Sequence, residues 1–115
     1  MSLFRVETAS VDGVERVSLI GELDRAAIGD LESALLAADG RPVVLDLTDC
    51  EFIDSSGIAL IVKQWRLRKG RLILAGARSQ TARILQITGI DATIATADSF
   101  EEASTAWRDE DGREP

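Results

Sequence analysis

Asp46-Leu47-Thr48-Asp49-Cys50-Glu51-Phe52-Ile53-Asp54-Ser55-Ser56-Gly57-Ile58-Ala59-Leu60-Ile61-Val62 decides the fold of this 115-residue chain. It continues a short apolar run, Val43-Val44-Leu45, that reads as a buried strand. It then meets a polar corner, Asp54-Ser55-Ser56-Gly57, and enters a helical pattern. Ile58, Ile61, Val62 and Trp65 stand at i, i+3, i+4 and i+7, which is one face of a helix. Aspartate, serine and glycine suit a helix start, because a side-chain oxygen there accepts from the free N–H groups of the first turn. Two adjacent hydroxyls thus stand where a strand hands over to a helix. That end of a helix carries a partial positive charge and accommodates an anion, so a phosphate on either serine is compatible with the fold.

Upstream of this corner, Leu3 to Ala9 alternates loosely, with Phe4, Val6 and Thr8 on one side. Asp12-Gly13 is a hairpin signal, and Val14 to Ile20 is the returning strand. Gly21-Glu22-Leu23-Asp24 follows as a loop, with Asp24 placed to cap a helix whose buried face is Ile28, Leu31, Leu35 and Ala38. Asp39-Gly40 ends that helix, with Gly40 suited to the left-handed position. Pro42 opens the strand Val43 to Leu47, whose unbroken apolar character predicts burial on both faces.

Downstream, the corner helix runs from about Ser56 to Lys69 and stops at Gly70. Arg71 to Ala77 is a strand, Ser79 caps a third helix with Ile84 and Ile87 inward, and Gly89 closes it. Thr93 to Ala97 is a last strand. Ser99-Phe100-Glu101-Glu102 is a capping box opening a final helix with Phe100, Ala103 and Trp107 inward. Trp65 and Trp107 both read as core. The predicted order is β-β-α-β-α-β-α-β-α in one α/β domain over residues 1–108, with a charged tail over residues 109–115. Strands alternating with helices imply a mostly parallel sheet joined by right-handed crossovers. Sites in such sheets gather beyond the carboxyl ends of the strands. That rule brings the Glu22–Asp24 loop, the Asp49–Gly57 corner and the Gly76–Ser79 loop to one rim.

Composition narrows the chemistry. A chain this long with 45% hydrophobic residues builds a core without metal or disulfides. Its lone cysteine, Cys50, has no intramolecular partner and reads as a small buried thiol. The N-terminus lacks a basic segment followed by an apolar run, so no secretion signal is expected, and no apolar run reaches the ~20 residues that span a bilayer. A cytoplasmic location without direct membrane insertion is expected. A net charge of -7 argues against nucleic acid as a partner. Lys63, Arg66, Arg68, Lys69 and Arg71 nevertheless cluster near the end of the corner helix, where cations complement the helix dipole. Histidine is absent, which removes Ser-His, Cys-His and His-metal chemistry. No phosphate loop, dinucleotide-binding glycine motif or nucleophile elbow is present. Asp46, Asp49, Glu51 and Asp54 read as caps and turn residues rather than a hard-metal site. No cofactor is implied. Leu60 and Leu67, seven apart on the corner helix, fit either the core or an exposed anchor for a partner.

In context the corner is more specific than its four residues. Gly21-Glu22-Leu23-Asp24, the strand Val43–Leu47, Phe52-Ile53-Asp54-Ser55-Ser56-Gly57-Ile58 and Ile87-Thr88-Gly89-Ile90 together resemble the sulfate transporter and anti-sigma factor antagonist (STAS) domain family. The similarity covers about Leu3 to Trp107, and it is greatest to free-standing bacterial anti-sigma factor antagonists. Ile58-Ala59 departs from the Leu-Gly pair common after the motif glycine.

The resemblance implies a binding switch and no enzyme. Family members, unphosphorylated, bind an anti-sigma factor that is also a serine kinase, and so release its sigma factor. The kinase phosphorylates the serine after the motif aspartate, here Ser55, and a metal-dependent serine phosphatase reverses it. Asp24, Asp54, Ser56 and Gly57 are the expected phosphosite neighbourhood, and Glu22, Leu60 and Lys63 the expected partner contacts. Two alternatives remain open: a STAS subunit of an ABC-type transporter or lipid-trafficking complex acting as a structural partner, and a small α/β enzyme or nucleotide binder.

Overall fold

A computed structural model describes residues 4–110. The antiparallel pair β1 (Arg5–Val11) and β2 (Val14–Leu23) is joined through Asp12 and Gly13, both at positive φ. After a 3-10 turn, Arg25–Ala27, come α1 (Ile28–Ala38), β3 (Val43–Asp46), β4 (Cys50–Ile53) and α2 (Ser55–Leu67). β5 (Leu72–Ala75), α3 (Ser79–Ile87), a second 3-10 turn at Ile90–Ala92, β6 (Thr96–Ala97) and α4 (Phe100–Glu110) complete the order. The sheet runs β1-β2-β3-β5-β6, and every pairing except β1 with β2 is parallel.

The expected α/β architecture is present, with one strand more than the sequence reading gave. Residues 21–23, read as loop, belong to β2, and Cys50–Ile53, read as part of the corner, is β4. β2 is long enough to serve two partners. Glu15 to Ser18 pairs with β3, and Gly21 to Leu23 pairs with β4 beyond a bulge between Gly21 and Glu22. β3 and β4 are one strand direction broken by a jog, held by Gly21 N–H donating to the Asp49 carbonyl (3.0 Å) and Cys50 N–H to that of Leu47 (3.1 Å).

Alternation along β2, β3 and β5 sorts the core into two layers. Val17, Leu19, Val43, Leu45, Leu72 and Leu74 face α1, α2 and α3. Val14, Val44, Ile73 and Ala75 face α4, where Phe100, Ala103 and Trp107 cover them. Ser99 Oγ accepts from Glu102 N–H (3.1 Å), as the capping box requires, while the Glu102 carboxylate takes the Asp98 N–H (2.7 Å).

Several local expectations differ. Asp39, not Gly40, takes the positive φ after α1. Ser79 is the first residue of α3 rather than its cap, and Arg78 precedes it. Thr81 and Leu85 form the buried face of α3, Ile84 is half-buried and Ile87 is 73% exposed, because the helix turns its Thr81–Leu85 side to β4, where the Thr81 hydroxyl donates to the Cys50 carbonyl. Trp107 is buried, whereas Trp65 is half-buried at the core's margin. α4 continues to Glu110, through the first two residues of the tail expected over 109–115, and residues 111–115 lie outside the described residues.

Candidate functional site

The site is built on one rung of the sheet. Leu23 of β2 pairs with Ile53 of β4, and Asp54 N–H donates to the Leu23 carbonyl (3.1 Å). Neighbouring strands lie about 4.8 Å apart, so the next residue on each strand, Asp24 and Asp54, emerges side by side. Each then opens a helical segment. Asp24 accepts from Ala26 N–H (3.1 Å) and Asp54 from Gly57 N–H (3.1 Å). Two helix starts are thereby set next to each other, each capped by its own carboxylate.

Ser55 is the first residue of α2 and is exposed; Ser56 beside it is half-buried. Gly57 is buried because α2 descends directly onto the rung. A Cβ there would stand 2.8 Å from Ile53 Cγ2 and 2.9 Å from Leu23 Cδ2. The glycine lets the first turn sit on the sheet, which in turn holds Ser55 at the surface.

Of the expected contact residues, Glu22 is half-buried on β2 opposite Phe52, and Lys63 is exposed on α2 with its ammonium 3.7 Å from Glu32 of α1. Leu60 does not belong with them. It is 5% exposed and part of the main core, so the expectation of a partner contact at Leu60 is corrected. The buried arc of α2 is centred on Gly57, Leu60 and Ile61, flanked by half-buried Ile58, Val62 and Trp65. Its exposed stripe is Ser55, Ala59, Lys63 and Leu67.

Arg25 was missed in the sequence. It is exposed and directly follows Asp24, so it brings a cation to this rim; its position beside a capping aspartate was the available signal.

The third rim segment is tied to the corner through the jog. Arg78 Nη2 donates to the Thr48 carbonyl (3.2 Å), and Thr81 Oγ1 to that of Cys50 (2.7 Å). Beneath it, Asp46 is buried. Its carboxylate accepts from Arg16 (2.6 and 3.0 Å) and from both the N–H and hydroxyl of Thr48 (3.0 and 2.6 Å). Desolvation raises its pKa, but the Thr48 hydroxyl, the Arg16 hydrogen bonds, the Thr48 N–H and the Arg16 charge outweigh it and hold the carboxyl below its ordinary value. Asp46 is therefore committed to structure. Burial pushes the Cys50 thiol up, which keeps it neutral and a poor nucleophile. No helix among the described residues is long and apolar enough to cross a membrane.

An exposed serine follows one capping aspartate, and the neighbouring strand carries another. The family model described as "Mlab, STAS domain" matches residues 6–102. The chain belongs to the STAS domain family. Its relatives include BtrV of Bordetella bronchiseptica, provisionally named an anti-sigma factor antagonist, at 31% identity over 85% of this chain and 90% of BtrV. A Staphylococcus aureus anti-sigma-B factor antagonist is 30% identical over 74% of this chain and 84% of its own. The crystal structure of an anti-sigma factor antagonist from Mycobacterium paratuberculosis superposes with a TM-score of 0.84 at 29% identity, covering 92% of this chain and 95% of that one. The STAS domain therefore accounts for the fold from β1 into α4.

Proposed function

We propose that this protein is an anti-sigma factor antagonist that acts by binding, with Ser55 as its phosphorylation switch. The observation that carries the reading is an exposed Ser55 at the first position of α2, directly after the capping Asp54, in a STAS chain whose named relatives are anti-sigma factor antagonists. In its unphosphorylated form it binds an anti-sigma factor with serine kinase activity and frees the sigma factor. The contact surface is the rim around Glu22, Asp24 and Ser55 and the exposed side of α2 as far as Lys63. A serine phosphatase resets the switch in the cytoplasm.

The physics favours a switch that works on the interface rather than on the fold. A phosphoserine carries about -1.5 to -2 charges. At Ser55 the helix N-terminus stabilises that charge by roughly 0.3–1 kcal/mol. Asp24 and Asp54 oppose it, and Arg25 offsets part of that repulsion. The net effect on folding is small. A partner packed on the rim meets the added charge and bulk directly, and like charges at an interface cost several kcal/mol, with each ~1.4 kcal/mol worth tenfold in affinity.

Ser55→Asp is expected to abolish binding to the anti-sigma partner while leaving the thermal midpoint near wild type. Ser55→Ala binds constitutively and accepts no phosphate, and Ser56→Ala is still phosphorylated. The check is incubation of each variant with the cognate kinase and ATP, followed by mass spectrometry and a binding titration. Phosphate on Ser56 alone would overturn the site. If no serine accepts phosphate, Ser55→Asp binds like wild type, and the chain co-purifies with an ABC-type ATPase, the transporter-subunit reading holds instead.

A further inference from the structure

We infer that the outer groove between α1 and α2 is a self-complementary interface on which a second copy of this chain docks. Both helices start at the rim, at the carboxyl ends of β2 and β4, and so run side by side in the same direction. Their levels are fixed by two cross-links. Lys63 of α2 meets Glu32 of α1 (3.7 Å), and further down Arg68 reaches the Leu35, Asp39 and Arg41 carbonyls. One turn beyond the Glu32–Lys63 level stand Leu36 and Leu67, lining the groove from opposite banks and 81% and 65% exposed. They are two of the three large hydrophobic side chains exposed among the described residues.

The charges say what covers them. The α1 bank carries Glu32 and the α2 bank carries Lys63, both side chains about half exposed or more. A two-fold axis lying along the groove superimposes each α1 bank on the other copy's α2 bank without changing level. It therefore sets Glu32 against the second copy's lysine 63 and Leu36 against its leucine 67, twice over. A patch that satisfies itself under a two-fold is what an isologous dimer requires. The arrangement uses Lys63 and the exposed stripe of α2, which the proposed partner surface also uses, so a second copy and the anti-sigma partner compete for this face.

The test is sedimentation equilibrium of the full chain from low micromolar to about 1 mM, a range that detects even weak association. The weight-average mass should climb toward twice that of the monomer. Leu36→Ser and Leu67→Ser should each weaken the dimer by about tenfold or more with circular dichroism unchanged. Glu32→Lys and Lys63→Glu should each suppress self-association, and an equimolar mixture of the two should restore it, since their charges match only across a mixed dimer. A monomer throughout the range would overturn the inference, and would leave the groove to a different protein. A dimer insensitive to these substitutions, or a mixture that fails to re-pair, would overturn it equally.

Discussion

At the scale of single residues, Gly57 and Asp54 make the corner. Asp54 fills an N–H that would otherwise be orphaned, and Gly57 removes the one atom that would push α2 off the Leu23–Ile53 rung. Neither contacting side chain is a flexible tip, so an added methyl forces strain into a packed core. Gly57→Ala is expected to destabilise the protein by about 1–3 kcal/mol, read as a fall in the urea midpoint with an unchanged slope. The same variant should weaken partner binding, since displacing the first turn displaces Ser55. A variant as stable as wild type would mean that the corner relaxes freely, and the argument for Gly57 would fail. Asp54 and Ser55 were legible in sequence because capping is local chemistry. The reason for Gly57 was not, because both atoms it avoids belong to strands brought together only by folding.

At the scale of elements, α2 shows how far periodicity reaches. The pattern Ile58, Ile61, Val62, Trp65 located the helix correctly but centred its buried face too far round. Gly57 and Leu60 are buried and Trp65 is only half so, because α2 packs against β4 and α1 together and needs a wide apolar arc. Leu60→Ala is therefore expected to cost about 2–5 kcal/mol of stability as a core truncation. Lys63→Ala should stay within about 0.5 kcal/mol in folding while weakening partner binding. Parallel denaturation and binding titrations separate the two; a stable Leu60→Ala that loses only binding would return Leu60 to the surface. Arg68 makes a related point. In sequence it is one of a run of cations at the end of α2, suited to that helix's own dipole. In the fold its guanidinium closes the carboxyl end of α1 instead, and burial depresses its pKa.

At the scale of the whole molecule, Asp46 couples parts far apart in the chain. It joins β3 to Arg16 of β2 and to the Thr48 jog that leads into β4. Arg16 in turn lies over the Phe100 ring of α4, 4.4 Å from its centroid. The carboxyl is held below its ordinary value of 3.8. A depressed carboxylate contributes stability that is fully present above the unfolded value and is lost as pH falls through the folded one. Wild-type protein should therefore lose stability more steeply than Asp46→Asn as pH drops below about 4, and the two should differ most near neutrality. Urea titrations across that range measure it. Parallel acid limbs for the two proteins would show that Asp46 does not supply the coupling.

The sequence by itself determined the alternation of strands and helices, the hairpin, the capping aspartates, a helix start within the Asp54–Gly57 corner and the resemblance to STAS domains. All but the resemblance, which rests on motifs spread from Gly21 to Ile90, are set by neighbours within a few residues, through turn chemistry, caps and the periods of 2.0 and 3.6 that distinguish strand from helix. Only the tertiary structure decided that β2 extends to pair with a separate β4, that Asp24 and Asp54 emerge together from one rung, that Leu60 is covered while Leu36 and Leu67 are not, and that Arg68 closes α1. A period states which side of an element is apolar. What covers that side, and how widely, depends on elements that arrive from thirty residues away, and their approach is fixed only when the sheet is complete.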